Sequence, residues 1–137
     1  MAVIEELIRL ENNGTLSFGN YLMDEKKKVL DFEVEGNLYK VKTFKEITKL
    51  EKNGKFLVEV VPGATVHEFF MDDKKVSFKL ESNEDIQVTM ELEPEKEYKI
   101  IVDDVTVGKV KSGLSGKINF SVEICSALSD VKIEKIL

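Results

Sequence analysis

The sequence predicts an all-β protein, with N-terminal β-hairpins packed on a C-terminal immunoglobulin-like or fibronectin-like β-sandwich. Three observations carry that expectation. Apolar and polar residues alternate at period two in Phe32-Glu33-Val34-Glu35, Tyr39-Lys40-Val41-Lys42 and Val76-Ser77-Phe78-Lys79-Leu80, which puts the apolar side chains on one face of a half-buried strand. Eight glycines sit mostly in polar turn contexts, against only two prolines, Pro62 and Pro94. Finally, one hairpin can be registered so that its apolar pairs share a face and its opposite-charge pairs share the other.

That hairpin takes Gly36-Asn37 as a two-residue turn. Val34 then pairs with Tyr39 and Phe32 with Val41, while Glu33 meets Lys40 and Asp31 meets Lys42. The preceding hairpin, Leu10-Glu11-Asn12-Asn13-Gly14-Thr15-Leu16, suits a three-residue loop ending in a left-handed glycine. Leu10 then faces Leu16, and Ile8 faces Phe18. The segment Leu50-Glu51-Lys52-Asn53-Gly54-Lys55-Phe56 echoes it, so the same loop is expected to set Leu50 against Phe56 and Glu51 against Lys55. Similar hairpins choosing similar turns account for the echo without a repeat architecture. Segments 2–11 and 44–51 also fit a helical stripe. They are read as strands because each runs directly into a hairpin turn.

Val61-Pro62-Gly63 is the clearest break in the chain, since proline cannot continue a central strand. The expected organisation is a hairpin region over 1–61 and a sandwich over 62–137. Net charge changes there from −1 to −5. Seven short strands are expected after the break, at 64–71, 75–81, 86–92, 97–103, 105–111, 117–124 and 130–136, a pattern that suits a small sandwich. The hairpins before it are too few to close a core of their own. They are expected to pack on the sandwich, on each other, or on a second subunit.

Composition narrows the function. The chain has 137 residues, 42% hydrophobic and 34% charged, as ordinary globular domains do. A net charge of −6 disfavours non-specific nucleic-acid binding, which rewards clustered cations. Arg9 is the only arginine, so bidentate clamps on phosphate or carboxylate are nearly excluded. Glu5, Glu6 and Arg9 interrupt the first ten residues and no long apolar run follows, so neither a signal-peptide core nor a membrane span is expected. The single cysteine, Cys125, suits a reducing compartment. A soluble, cytoplasmic protein is the expectation.

The residues that carry chemistry are few. His67 is the only imidazole; its neighbour Glu68 is expected on the opposite strand face, where it cannot easily orient it, so a structural or surface role is expected. Cys125 has no local cation to make it a thiolate and reads as a small core residue. Glu91, Glu93, Glu95 and Glu97 alternate around Pro94, and Glu81, Glu84 and Asp85 form a second acidic patch. Paired carboxylates serve glycoside hydrolysis and oxygen clusters serve calcium, but acidic strands are more simply solvated faces that protect sheet edges. Lys26-Lys27-Lys28 reads as an exposed loop, because no glycine-rich phosphate cradle accompanies it. In Phe69-Phe70 one ring must face outward, as a subunit contact or a ligand platform. No residue is assigned as catalytic, cofactor-binding or metal-binding, and no cofactor is expected.

The stretches Gly14–Tyr21, Tyr39–Glu51 and Val61-Pro62-Gly63 resemble a group of small clostridial-type bacterial proteins, some of which are labelled endosialidase. The group brings no catalytic residues to this chain. Sialidases grip a carboxylate with several arginines, use a tyrosine–glutamate pair as nucleophile, and need a far longer chain for their propeller. With one arginine, sialidase chemistry is not expected. Leu92–Ile100, Gly108 and Lys117–Val122 resemble the β-sandwich modules appended to carbohydrate-active enzymes, which are commonly non-catalytic. The expectation is a non-enzymatic structural or binding protein, forming a homo-oligomer whose subunits cover each other's edges. The alternative is a carbohydrate-binding module or a carboxylate-based glycan hydrolase. A glycan site would expose aromatics beside polar groups, whereas an oligomer would bury them between subunits.

Overall fold

A computed structural model describes residues 3–124 and 127–136. The described residues form thirteen β-strands in two antiparallel sheets, with no helix among them. In order they are β1 (Ile8–Leu10), β2 (Leu16–Phe18), β3 (Lys27–Val34), β4 (Asn37–Phe44), β5 (Ile47–Lys52), β6 (Lys55–Val61), β7 (Thr65–Met71), β8 (Lys75–Glu81), β9 (Ile86–Glu91), β10 (Glu97–Val102), β11 (Val105–Lys111), β12 (Lys117–Val122) and β13 (Ser129–Ile136). The seven-stranded sheet runs β1-β2-β7-β8-β13-β10-β11 and the six-stranded sheet β12-β9-β6-β5-β4-β3. Each of the seven strands expected after Pro62 is present to within two residues.

The hairpins show how turn chemistry sets register. In the first, Ile8 faces Phe18 and Leu10 faces Leu16, as alternation and Gly14 require. Among the described residues 3–11 of that segment only Ile8–Leu10 is strand; Leu7 has φ 73° and Glu5-Glu6 turn. The second hairpin corrects the expected register, because its turn is Glu35-Gly36 rather than Gly36-Asn37, and Phe32 faces Tyr39. A primed turn needs positive φ at both central residues and favours glycine at the second; Glu35 (φ 50°) and Gly36 (φ 81°) meet that need. The pairing slides by two residues, so the faces are preserved, and a bulge at Asp31 (φ 56°) restores Val29 opposite Val41.

The third hairpin is corrected for the same reason. Asn53 (φ 52°) and Gly54 (φ 79°) make a two-residue turn, so Glu51 faces Phe56 and Leu50 faces Val58 across a bulge. Segment 44–51 is extended, as expected, but not as one strand, because the chain turns at Lys45-Glu46 and Phe44 pairs with Ile47.

Strand pairing crosses the expected boundary at Pro62 twice, through β2–β7 and β6–β9. The break itself is a crossover: the chain leaves β6 in one sheet, passes the cis Val61–Pro62 bond and enters β7 in the other. Both inner faces share one core, in which Phe18, Val41, Leu50, Phe78, Leu80 and Met90 are fully buried. Each such side chain contributes about 1.5–3 kcal/mol.

A buried polar knot seals the crossover. Thr48 Oγ1 donates to the Ala64 carbonyl at 2.7 Å and accepts the Ala64 amide at 3.1 Å. With its one proton so placed, it accepts from Thr43 Oγ1 at 2.8 Å, which in turn accepts the Asn20 amide at 2.9 Å. Thr65 Oγ1 donates to the Gly19 carbonyl. Gly19 has φ 102°, and a Cβ there would lie 2.5 Å from the Ala64 oxygen, so no other residue fits.

Candidate functional site

At one end of the molecule the Glu35-Gly36 and Asn53-Gly54 turns of the six-stranded sheet stand opposite Gly14 and the end of β7. Between them lies an open cleft of about 640 Å³. Asn53 ties the two turns together: its Oδ1 accepts the Leu38 amide at 2.9 Å and its Nδ2 donates to Asn37 Oδ1 at 3.0 Å. The cleft is lined by Tyr39, Phe56, Phe69, Phe70 and Met71, with Glu35, Asp72, Asp73, Glu91, Lys52 and Lys55 around them. Aromatic faces beside carboxylates and ammonium groups offer both stacking and hydrogen bonding to a ligand.

A bulge aims the aromatic pair. Glu68 takes φ 53°, and the β7–β8 register slips between His67 and Phe70. Phe69 therefore turns inward, edge-on to Phe18 at 6.0 Å and tilted against Phe78 at 5.8 Å. Phe70 faces outward into the cleft, 40% exposed, with the Lys75 ammonium 5.9 Å from its ring centre. The expectation that one ring of the pair faces outward holds, and the outward ring is Phe70. Tyr39 is partly buried with the Lys52 ammonium 6.0 Å from its ring centre; burial, with help from the Glu35 charge, raises its phenol pKa.

His67 lies on the outer face of the seven-stranded sheet, where its Nε2 donates to Glu81 Oε1 at 3.0 Å. Both side chains are mostly covered, 12% and 8% exposed. Glu81 Oε2 accepts the Tyr21 hydroxyl at 3.0 Å. Burial first, and the Glu81 hydrogen bond and charge next, push the Tyr21 phenol up to about 12. Beside this group Ser17 Oγ donates to Glu11 Oε2 at 2.5 Å and accepts the Glu68 amide at 3.0 Å. The Ser17 hydrogen bond is the main reason the Glu11 carboxyl titrates below its usual range. Arg9 is held by Glu11 at 3.1 Å and lies 3.8 Å from Glu6.

This cluster is not a serine–histidine arrangement. Ser17 is bonded to Glu11 and His67 to Glu81, so no imidazole faces the serine hydroxyl. Tyr21 and Glu81 form a tyrosine–glutamate pair in which the phenol donates and the carboxylate accepts. The partner of His67 is Glu81, fourteen positions on; the expectation that Glu68 points to the opposite face is corrected, because the bulge brings its carboxylate to Lys79, the residue paired with His67. No local pattern marks the Tyr21–Glu81 contact, which joins residues sixty positions apart.

The acidic run is divided. Glu91 closes β9 in the six-stranded sheet and Glu97 opens β10 in the other, with Glu95 in the turn at φ 55°, so the alternation does not place these carboxylates on one face. Glu93 pairs with Lys135 at 2.8 Å, and that hydrogen bond lowers its pKa. Of the second patch, Glu81 belongs to the histidine network and Asp85 Oδ1 accepts the Ile124 amide. Among the described residues no three of His, Cys, Asp and Glu converge as a metal site. Lys27 and Lys28 stand on β3, which corrects the expected exposed loop: alternation extends the strand to within one residue of Lys26. Cys125 lies outside the described residues. Comparison of the chain with protein-family models, curated proteins and solved structures finds no match.

Proposed function

We propose that the protein is a non-enzymatic binding module whose ligand enters the cleft at the hairpin tips. The observation that carries this reading is the exposed Phe70 ring, which lines one recess with Tyr39 among carboxylates and lysines. Neutral carbohydrate is the ligand class that suits it, since sugar C–H faces stack on aromatics while hydroxyls bond to carboxylates and amides. The resemblance of 92–122 to sandwich modules of carbohydrate-active enzymes supports the same reading. So do the seven antiparallel strands β7–β13, which we take as an immunoglobulin-like unit enlarged by β1–β6; their division five to two between the sheets is its departure from that plan.

A thermal-shift and calorimetric screen against neutral oligosaccharides tests the proposal. A ligand selective for the native state raises the melting temperature, and Phe70→Ala should abolish the rise while leaving the unliganded melt nearly unchanged. No rise with any oligosaccharide would sink the carbohydrate reading.

A second reading, self-association, rests on β11. It is a sheet edge exposed along nearly its whole length, with Val105 62% and Val107 58% exposed. Pairing of this edge with a second copy would cover both valines. Light scattering decides it: a mass several times 15.6 kDa, reduced by Val107→Lys, is the expected result, and a monomer would refute it.

A further inference from the structure

The outer face of the six-stranded sheet carries an arrangement that the cleft does not use. Lys28 on β3 pairs directly with Lys42 on β4, and Lys42 pairs directly with Lys49 on β5. Directly paired residues of an antiparallel sheet share a face, and adjacent strands lie about 4.8 Å apart. Three lysines therefore stand in a row on one face across three strands. The ladder continues through Glu59, Thr89 and Asn119, where Asn119 Nδ2 donates to Thr89 Oγ1.

Stability alone does not explain that row. Like charges directly opposite each other destabilise a sheet, and here two such pairs are consecutive in a chain of net charge −6. Among the described residues no carboxylate lies within ion-pair distance of Lys28 or Lys42, while Lys49 has Glu51 at 3.7 Å. Burial, followed by the charges of Lys26, Lys49 and Lys28, lowers the Lys42 pKa against the smaller opposing pull of Glu59. A bound anion would relieve that repulsion.

We propose that this face binds an acidic polysaccharide bearing about one carboxylate per sugar, laid across β3–β5 on Lys28, Lys42 and Lys49. Lysine suits it as a point charge that needs no bidentate geometry. The charge density of the partner decides against nucleic acid. Duplex DNA carries one charge per about 1.7 Å and would be repelled by the acidic remainder of the surface, whereas a sparsely charged glycan meets mainly the lysine row. Thr89 and Asn119, farther along the ladder, offer the hydroxyl and amide groups that sugar hydroxyls recognise.

The test is binding of polygalacturonate at low salt, with neutral dextran and a single-stranded oligonucleotide as parallel probes. Wild type should bind polygalacturonate most tightly, with an affinity that falls as salt rises. K28Q/K42Q/K49Q should lose at least about tenfold in affinity and flatten the log K against log salt slope by about two. K28R/K42R/K49R should retain binding, and Phe70→Ala should not alter it, which separates this face from the cleft. Should the triple Gln variant fail to fold, K42Q against K42R gives the same reading, and K42Q should melt no lower than wild type. Dextran or oligonucleotide binding as tight as polygalacturonate, or Gln variants that are folded and bind undiminished, would overturn the proposal.

Discussion

Thr48 concentrates much of what holds the crossover in place. Its single hydroxyl serves Ala64 twice and Thr43 once, wholly buried. Thr48→Val keeps the shape but strands the Ala64 amide, and should cost about 1–3 kcal/mol in urea unfolding. Ser129 makes the opposite case, since its buried hydroxyl has no hydrogen-bond partner among the described residues. Ser129→Ala removes a desolvated group and should leave stability unchanged or raise it by about 1 kcal/mol. Tyr21 gives a pH dependence. Its pKa rises from 10.0 to about 12 on folding, so its stabilising contribution is complete below pH 10 and is lost as pH climbs through about 12. Tyr21→Phe should be less stable at neutral pH, and the gap to wild type should close across that alkaline window in denaturation curves.

Turns decide the elements. The same period-two pattern permits several registers, and the left-handed pairs Glu35-Gly36 and Asn53-Gly54 select among them. Open space surrounds both glycines, so only the backbone penalty opposes a side chain there. Gly54→Ala should therefore destabilise by about 1 kcal/mol, read as a fall in unfolding midpoint without change in slope. The bulge at Glu68 does comparable work for the cleft, because it is what sends Phe69 inward and Phe70 out. Alternation made it legible that the two rings part. Which one is buried follows from the register slip, and that slip leaves no mark in composition.

At the scale of the whole molecule, strands from both sides of Pro62 share each sheet. A fragment of 62–137 would lose β2 from beside β7 and β6 from beside β9, and with residues 1–61 about a third of the buried core. It should fail to fold cooperatively, visible as dispersed amide resonances in the full chain and collapsed ones in the fragment.

Strand content, the inward faces and most turn positions are local properties of this sequence, because side chains alternate at period two and left-handed glycine turns punctuate them. The first hairpin and the strands after Pro62 were readable for that reason. The groupings that bear on function were not. Phe70 and Tyr39 line one cleft, His67 and Tyr21 meet on Glu81, and Lys28, Lys42 and Lys49 align across three strands. Each joins residues brought together by sheet order, register and bulges. Those are settled by the burial of one shared core, and no short stretch of chain encodes them.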